Sequence, residues 1–511
     1  MLATVHSGGI YGIDAFALEI EVNAGGGEPE MIVVGLPDAA VKESRHRVHN
    51  ALVNSGFLPA RGVTTVNLAP ADVRKEGPSF DLPIALGILA ATEQIPAGVL
   101  GEWCIVGELA LSGEVRKVRG ALPIALQARA DGRRRMLVPA ANAAEAAVVR
   151  ELEVYPVANV REAADFLAGR IELRREQADL GRLFAEVGRY EVDFSEVKGQ
   201  ESARRALEVA VAGGHNILLL GPPGTGKSML AKRIPTILPP LTLEEALETT
   251  KIHSIAGVLG ANQPLVARRP FRSPHHTVSD AGLLGGGAHP MPGEVSLAHR
   301  GILFLDELPE FARNVLEVMR QPLEDGKVSI SRAAAQVTFP CQFMLVAAMN
   351  PCPCGYHGDP KRRCRCSSKQ IQAYRNRISG PLLDRIDIHI EVPAIGFNEL
   401  SGLEPGESSA AMRARVEGAR RVQQERFSGR TGVHCNADMG ARDVTRHCVM
   451  DDEAREGLRQ AIHELNFSAR AYDRIVKVSR TIADLAGSET ITGEHVHEAI
   501  TYRTLDRQVW T

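Results

Sequence analysis

Three glycines packed between an apolar run and a helical pattern constrain this chain more than any other feature. Asn216 to Leu220 is a short apolar run suited to a buried parallel strand, and from Ser228 the sequence Ser-Met-Leu-Ala-Lys-Arg-Ile reads as a helix. Between them stands Gly221-Pro222-Pro223-Gly224-Thr225-Gly226-Lys227-Ser228. A glycine-rich turn from strand to helix lets backbone N–H groups surround phosphate oxygens, and the helix N-terminus adds partial positive charge. In such a cradle the Lys227 ammonium reaches the β- and γ-phosphates of a nucleoside triphosphate, and the Ser228 hydroxyl takes one position on Mg²⁺. The expected ligands are therefore ATP and Mg²⁺.

A second apolar run, Ile302 to Leu305, ends in Asp306 and Glu307. Read as a buried strand beside the first, it puts Asp306 at the carboxyl end of an open α/β sheet, where ligands gather. Asp306 then holds the Mg²⁺ shell, and Glu307 orients and deprotonates the attacking water. Two neighbouring carboxylates could equally be solvated loop charges; the upstream phosphate loop favours the catalytic reading.

At 511 residues the chain exceeds one compact core, and its 59 basic and 62 acidic residues exclude a globally basic nucleic-acid binder. The longest apolar stretch, Pro83 to Ala91, is too short to span a bilayer, and the start lacks a charged leader; the expectation is a cytoplasmic protein without a membrane partner. Four of the eight cysteines crowd into one loop: Cys352, Cys354, Cys364 and Cys366 form two C-x-C pairs. In a reducing compartment such a cluster fits a tetrahedral Zn²⁺ site better than two disulfides, with free thiols on a surface loop as the alternative. Lys361, Arg362 and Arg363 would favour the thiolate form.

Composition divides the chain into an α+β region at 1–170, a charged connector at 171–190, a nucleotide-binding core at 191–395 carrying the cysteine loop 352–366, a connecting segment at 396–430 that opens with a Gly/Pro-bearing loop, and a helical region at 431–511. Short Val/Ile-rich runs at Met31–Val34, Val63–Leu68, Trp103–Val106 and Arg135–Val138 are the strand candidates of the first region; Ala454–Asn466, Ala469–Ala486 and Gly493–Leu505 are the helices of the last.

With both nucleotide motifs in hand, the chain resembles the Mg-chelatase-like branch of the AAA+ ATPases, and within it the competence-associated ComM/YifB group. The specific segments are Arg269-Pro-Phe-Arg-Ser-Pro-His-His276, Gly285-Gly-Gly287, Pro292-Gly-Glu-Val-Ser-Leu-Ala-His299, Gln321-Pro-Leu-Glu-Asp-Gly326 and Asn350-Pro-Cys-Pro-Cys-Gly355. The implied fold is α/β: an AAA+ P-loop core with a helical lid, preceded by an α+β Lon-protease-like (ChlI-type) domain. The resemblance gives Asn350 the role of the sensor that positions the lytic water, unless it only starts a turn before Pro351. It makes Arg385 the arginine finger for a neighbouring protomer, unless it only pairs with Asp384 or Asp387. It makes Arg470 the second sensor arginine of the lid, with Arg474 one helical turn away. A homo-oligomeric ring, a hexamer, follows, with branched or single-stranded DNA in its channel and branch migration in recombination as the activity. A magnesium-chelatase-like remodelling or metal-insertion motor is the alternative.

Within that reading, Arg268, Arg269, Arg272, His275 and His276, followed by Gly285 to Gly287, could track a DNA backbone. They could equally close the nucleotide site. The hairpin Lys327–Arg332 with Gln336–Phe339 is a weaker candidate, because Ala333 to Ala335 stand where related rings carry a basic tip. In the first domain Ser79 occupies the Lon-type nucleophile position, but Leu122 falls where the catalytic lysine belongs. An aliphatic side chain accepts no proton, so proteolysis is not expected unless Lys117 substitutes.

Overall fold

A computed structural model describes residues 1–186, 190–260, 263–287, 290–332, 335–359, 362–394, 406–430, 432–465 and 468–503. Residues 396–405 of the expected loop, Ala333, Ala334, Lys361, and the expected helix ends at Asn466 and Leu505 lie outside these residues.

The chain forms two compact units. The first comprises Met1–Ala185 with two later segments, Leu243–Ala267 and Ser329–Phe339. Its seven-stranded sheet runs, from edge to edge, Glu30–Val34, Val63–Ala69, Asp14–Ala24, Leu2–Tyr11, Trp103–Ile105, Arg135–Pro139 and Glu153–Val157. The four strand candidates of the sequence are present. The long central hairpin, Leu2–Tyr11 against Asp14–Ala24, was not among them. Gly8 and Gly9 disguise the first strand as a turn; a Cβ on Gly8 would lie 2.6 Å from Ile124 Cγ2, where helix Ala121–Ala130 packs down, and one on Gly9 would lie 2.3 Å from Phe16 Cζ. The core under the sheet is mainly aliphatic, with Phe57, Phe80 and Trp103 among it and helix Asp81–Ala91 buried all round.

The second unit holds Glu186–Thr242, Arg268–Val328 and Pro340–Thr511. Its five-stranded sheet is all parallel, in the order Phe271–Arg272, Ile302–Leu305, Met344–Met349, Ile217–Leu220, Ile388–Glu391. The acidic strand is therefore not beside the phosphate-loop strand. Met344–Met349 lies between them, because parallel strands are joined by crossovers and chain order does not set sheet order. The three central strands are buried along their whole length, as a sheet covered on both faces requires. Helix Glu201–Gly213 packs small side chains, Ala203, Ala206 and Ala210, into this core.

The C-terminal helices Ser409–Arg426, Asp452–Leu465, Ala469–Leu485 and Gly493–Thr501 join the same core. The Ser468 side chain caps Ala469–Leu485, accepting from Ala471 N–H at 3.2 Å. That helix buries Ile475, Val476, Val478 and Ile482, and it touches both Glu201–Gly213 and Gly493–Thr501. Among the described residues no helix is long and apolar enough to cross a membrane.

Candidate nucleotide site

The carboxyl ends of three neighbouring strands bring the phosphate loop, the acidic pair and Asn350 together. Gly224 (φ +80°) and Gly226 (φ +86°) take left-handed backbone that a side chain would strain, and this turns the loop directly into helix Lys227–Arg233. Thr225 Oγ1 donates to Pro222 O at 3.1 Å, tightening the turn.

Lys227 Nζ donates to Gly221 O at 2.7 Å, to Pro222 O at 2.8 Å and to Asn350 Oδ1 at 3.2 Å. Burial draws its ammonium down to about 8, against the opposing pull of Asp306 and Glu307. Ser228 Oγ donates to Asp306 Oδ2 at 2.6 Å. A hydroxyl and a carboxylate oxygen in contact are the hard oxygen donors that Mg²⁺ takes beside nucleotide phosphates. An ion held by these two oxygens would neutralise phosphate charge.

Glu307 adopts left-handed backbone (φ +53°), so the two adjacent carboxylates part company. Asp306 faces Ser228 and accepts the Glu307 N–H at 3.0 Å, while the Glu307 carboxylate lies 3.8 Å from His276 Nδ1. His276 in turn stacks on His275, ring centroids 4.1 Å apart, and meets the edge of Phe311. His276 thus sits at the nucleotide site.

The other basic groups of that segment are engaged inside the unit. Arg269 donates to three backbone carbonyls, Pro239, Pro240 and Arg300, and Arg272 forms a bidentate pair with Glu294, both contacts 2.7 Å. Arg268 lies over the Tyr190 ring. These contacts favour the structural reading of Arg269 and Arg272 over a phosphate-tracking one. In the first unit the hairpin segment is held too: Gln336 O accepts from Tyr11 Oη at 3.1 Å.

Arg385, Arg470 and Arg474 gather at the opposite end of the sheet. Asp387 and Ile388 donate their N–H groups to Asn216 O, at the start of the phosphate-loop strand, whereas the phosphate loop leaves from its far end. A four-residue strand separates the two by about 13 Å. The three guanidiniums line one small cavity with Glu324, Asp384 and Asp473. Arg385 is buried and bonded to Pro381 O and Glu324, not to the aspartates beside it in sequence. Arg470, exposed, lies 3.7 Å from Asp384, and Arg474 pairs with buried Asp387 at 3.0 Å.

The sequence reading missed Asn216. Its N–H donates to Asp387 Oδ2 (2.9 Å), its Nδ2 to Arg385 O (3.0 Å), and its Oδ1 accepts from Leu345 N–H (2.8 Å). One amide thereby ties the Arg385 segment to two strands; a polar residue opening an apolar run was the available signal.

The four clustered cysteines meet. Their Sγ atoms lie within 4.8 Å of one another, with Cys352–Cys354 at 3.4 Å, Cys354–Cys364 at 3.6 Å and Cys352–Cys364 at 3.7 Å. Four thiolates about 2.3 Å from a tetrahedral Zn²⁺ would be about 3.8 Å apart. Backbone amides of Arg365 and Tyr356 draw the Cys354 thiol down to about 6. Of the expected basic side chains, Arg362 lies over the Tyr356 ring.

Ser79 ends up on a single turn, Pro78–Phe80, ahead of helix Asp81–Ala91. Leu122 is wholly buried in the apolar core, and Lys117 Nζ donates to Leu259 O at 3.0 Å.

Three family profiles cover most of the chain: magnesium chelatase, subunit ChlI, at residues 193–400; subunit ChlI of Mg-chelatase at 20–142; and magnesium chelatase, subunit ChlI C-terminal, at 406–503. The chain is 44% identical to the competence protein ComM of Haemophilus influenzae, covering 99% of this chain and 98% of that protein. It is also 44% identical to the uncharacterized protein YifB of Salmonella typhimurium, with the same coverage. A shorter likeness, 31% identity over 27% of this chain and 26% of the relative, links it to Lon protease 2 of Bacillus subtilis. End-to-end identity at that level, on a parallel core that ends in a phosphate loop and an acidic pair, makes the chain a member of the Mg-chelatase-like ComM/YifB group of AAA+ proteins.

Proposed function

We propose that this protein is an ATP-hydrolysing motor that closes into a hexameric ring and moves along DNA, driving branch migration. Lys227 and the backbone amides of the phosphate loop bind the triphosphate, and Ser228 and Asp306 provide the oxygens for Mg²⁺. Glu307 takes the proton of the attacking water, and Asn350 positions that water from the other side.

The observation that carries the ring is the placement of Arg385 and Arg470. Both lie at the end of the sheet remote from their own phosphate loop, so the phosphate they can serve is a neighbour's. A guanidinium supplied across a subunit boundary stabilises charge that grows in the transition state and ties hydrolysis to relative movement of subunits. In the free chain Glu324 holds Arg385; the neighbour's phosphate replaces that carboxylate.

Support for DNA comes from the competence name of a full-length relative. The engagement of Arg269 and Arg272 within their own unit favours instead a magnesium-chelatase-like remodelling or metal-insertion motor that does not act on DNA, in keeping with the chelatase profiles. Steady-state ATPase assays without DNA, and with linear duplex, single strand and a four-way junction at fixed salt, decide between them. The DNA motor gives severalfold stimulation by the junction; equal rates in all four assays favour the remodelling reading.

Two further assignments belong here. The four thiols hold Zn²⁺, as their spacing supports. The Lon-like unit does not hydrolyse peptides, because Leu122 and Lys117 offer Ser79 no base.

A further inference from the structure

The cysteine loop begins at the residue that closes the nucleotide site. Asn350, hydrogen-bonded to Lys227, lies two residues before Cys352, whose side chain is fully buried. Between them the Pro351 carbonyl accepts from Nε of the buried Arg375 at 3.2 Å. Cys352-Pro353-Cys354-Gly355 then closes a turn, with Gly355 N–H donating to Cys352 O at 2.9 Å.

Gly355 has left-handed backbone (φ +85°) and sits directly on Pro223 of the phosphate loop. A Cβ there would lie 2.5 Å from Pro223 Cδ. The thiol cluster therefore meets the nucleotide site at two points, the sensor side chain and the phosphate loop. Thiolates this close repel one another, and a cation among them would hold the turn in this form.

We infer that the metal held by Cys352, Cys354, Cys364 and Cys366 is a brace for ATP binding: it fixes Asn350 and presses Gly355 against Pro223, so nucleotide affinity and turnover depend on metal occupancy. The inference rests on the zinc reading above. Its effect is large because a displacement of about 1 Å in a positioning group costs on the order of 10²-fold in rate.

The test uses the full chain purified without chelator. Metal content is measured by elemental analysis before and after stripping with a zinc-selective chelator in excess Mg²⁺, and after Zn²⁺ is restored. At each stage the Kd of a fluorescent ATP analogue, the ATPase rate and the far-UV circular dichroism are recorded. The brace predicts a Kd raised about tenfold and turnover lowered about 10²-fold in stripped, still folded protein, both reversed by Zn²⁺. Gly355→Ala, which leaves all four thiols in place, keeps its zinc yet binds the analogue several times more weakly, and it decides the matter if stripping unfolds the chain. Zinc present, with Kd and turnover unchanged both on its removal and in Gly355→Ala, overturns the brace and leaves the zinc site standing. Absence of zinc from the purified chain and after Zn²⁺ addition overturns the zinc reading and the brace with it.

Discussion

Lys227 carries the electrostatics of the nucleotide site. Burial lowers its pKa to about 8 before any phosphate arrives, and a triphosphate restores the preference for the charged form. Below pH 8 the side chain is already an ammonium, so ATP binding takes up no proton through it. Above pH 8 binding takes up one, and the Kd rises by up to about tenfold per pH unit. Calorimetric titration with a non-hydrolysable analogue at pH 7 and pH 9, in two buffers of different ionisation enthalpy, measures that proton directly. The neighbouring carboxylate is tested differently. Glu307→Gln keeps nucleotide affinity within about threefold and lowers turnover about 10²- to 10⁴-fold in a coupled assay. These positions were legible in the sequence because phosphate chemistry demands fixed residue types at fixed spacing. Arg269 and Arg272 were not: their charge pointed outward in the sequence, yet backbone carbonyls and Glu294 receive it.

At the scale of elements, the parallel sheet works because its strands are apolar on both faces and their carboxyl ends are left for polar loops. Its amino ends are organised by Asn216, which no motif marks. Asn216→Ala leaves the Leu345 N–H and the Arg385 carbonyl without this partner, at a cost of about 2–4 kcal/mol. The melting temperature falls by several degrees, read by calorimetry, and ATP turnover falls with it because Arg385 loses its anchor, while analogue affinity holds. Strand existence was readable from composition, but strand order was not. The run at Met344–Met349 could be placed between the other two only once the crossovers were known. The Leu2–Tyr11 strand was hidden by Gly8, which lets a helix approach, and Gly9, which makes room for the Phe16 ring, tertiary contacts with no local signature.

For the whole molecule, the division of labour between the two ends of the sheet predicts complementation. Subunits carrying Lys227→Ala cannot bind nucleotide but keep a working finger; subunits carrying Arg385→Ala bind nucleotide but lack the finger. Mixed in equal amounts, the two inactive preparations recover roughly a quarter of wild-type turnover, the share of interfaces that pair an intact site with an intact finger. Confirmed mixed rings with no recovered activity at any ratio would confine Arg385 to its own subunit.

The amino-acid sequence alone determined that this chain has a phosphate loop, an acidic strand end, a thiol cluster and a Lon-like region with Leu122 at the position of the lysine. Each is a local pattern, set by the few residue types that the chemistry tolerates. Tertiary structure decided which charges stay available and which are spent, that Asn216 binds the finger segment to the sheet, and that Gly355 rests on Pro223. Those outcomes depend on side chains far apart in sequence competing for the same partners, and only the folded chain resolves that competition.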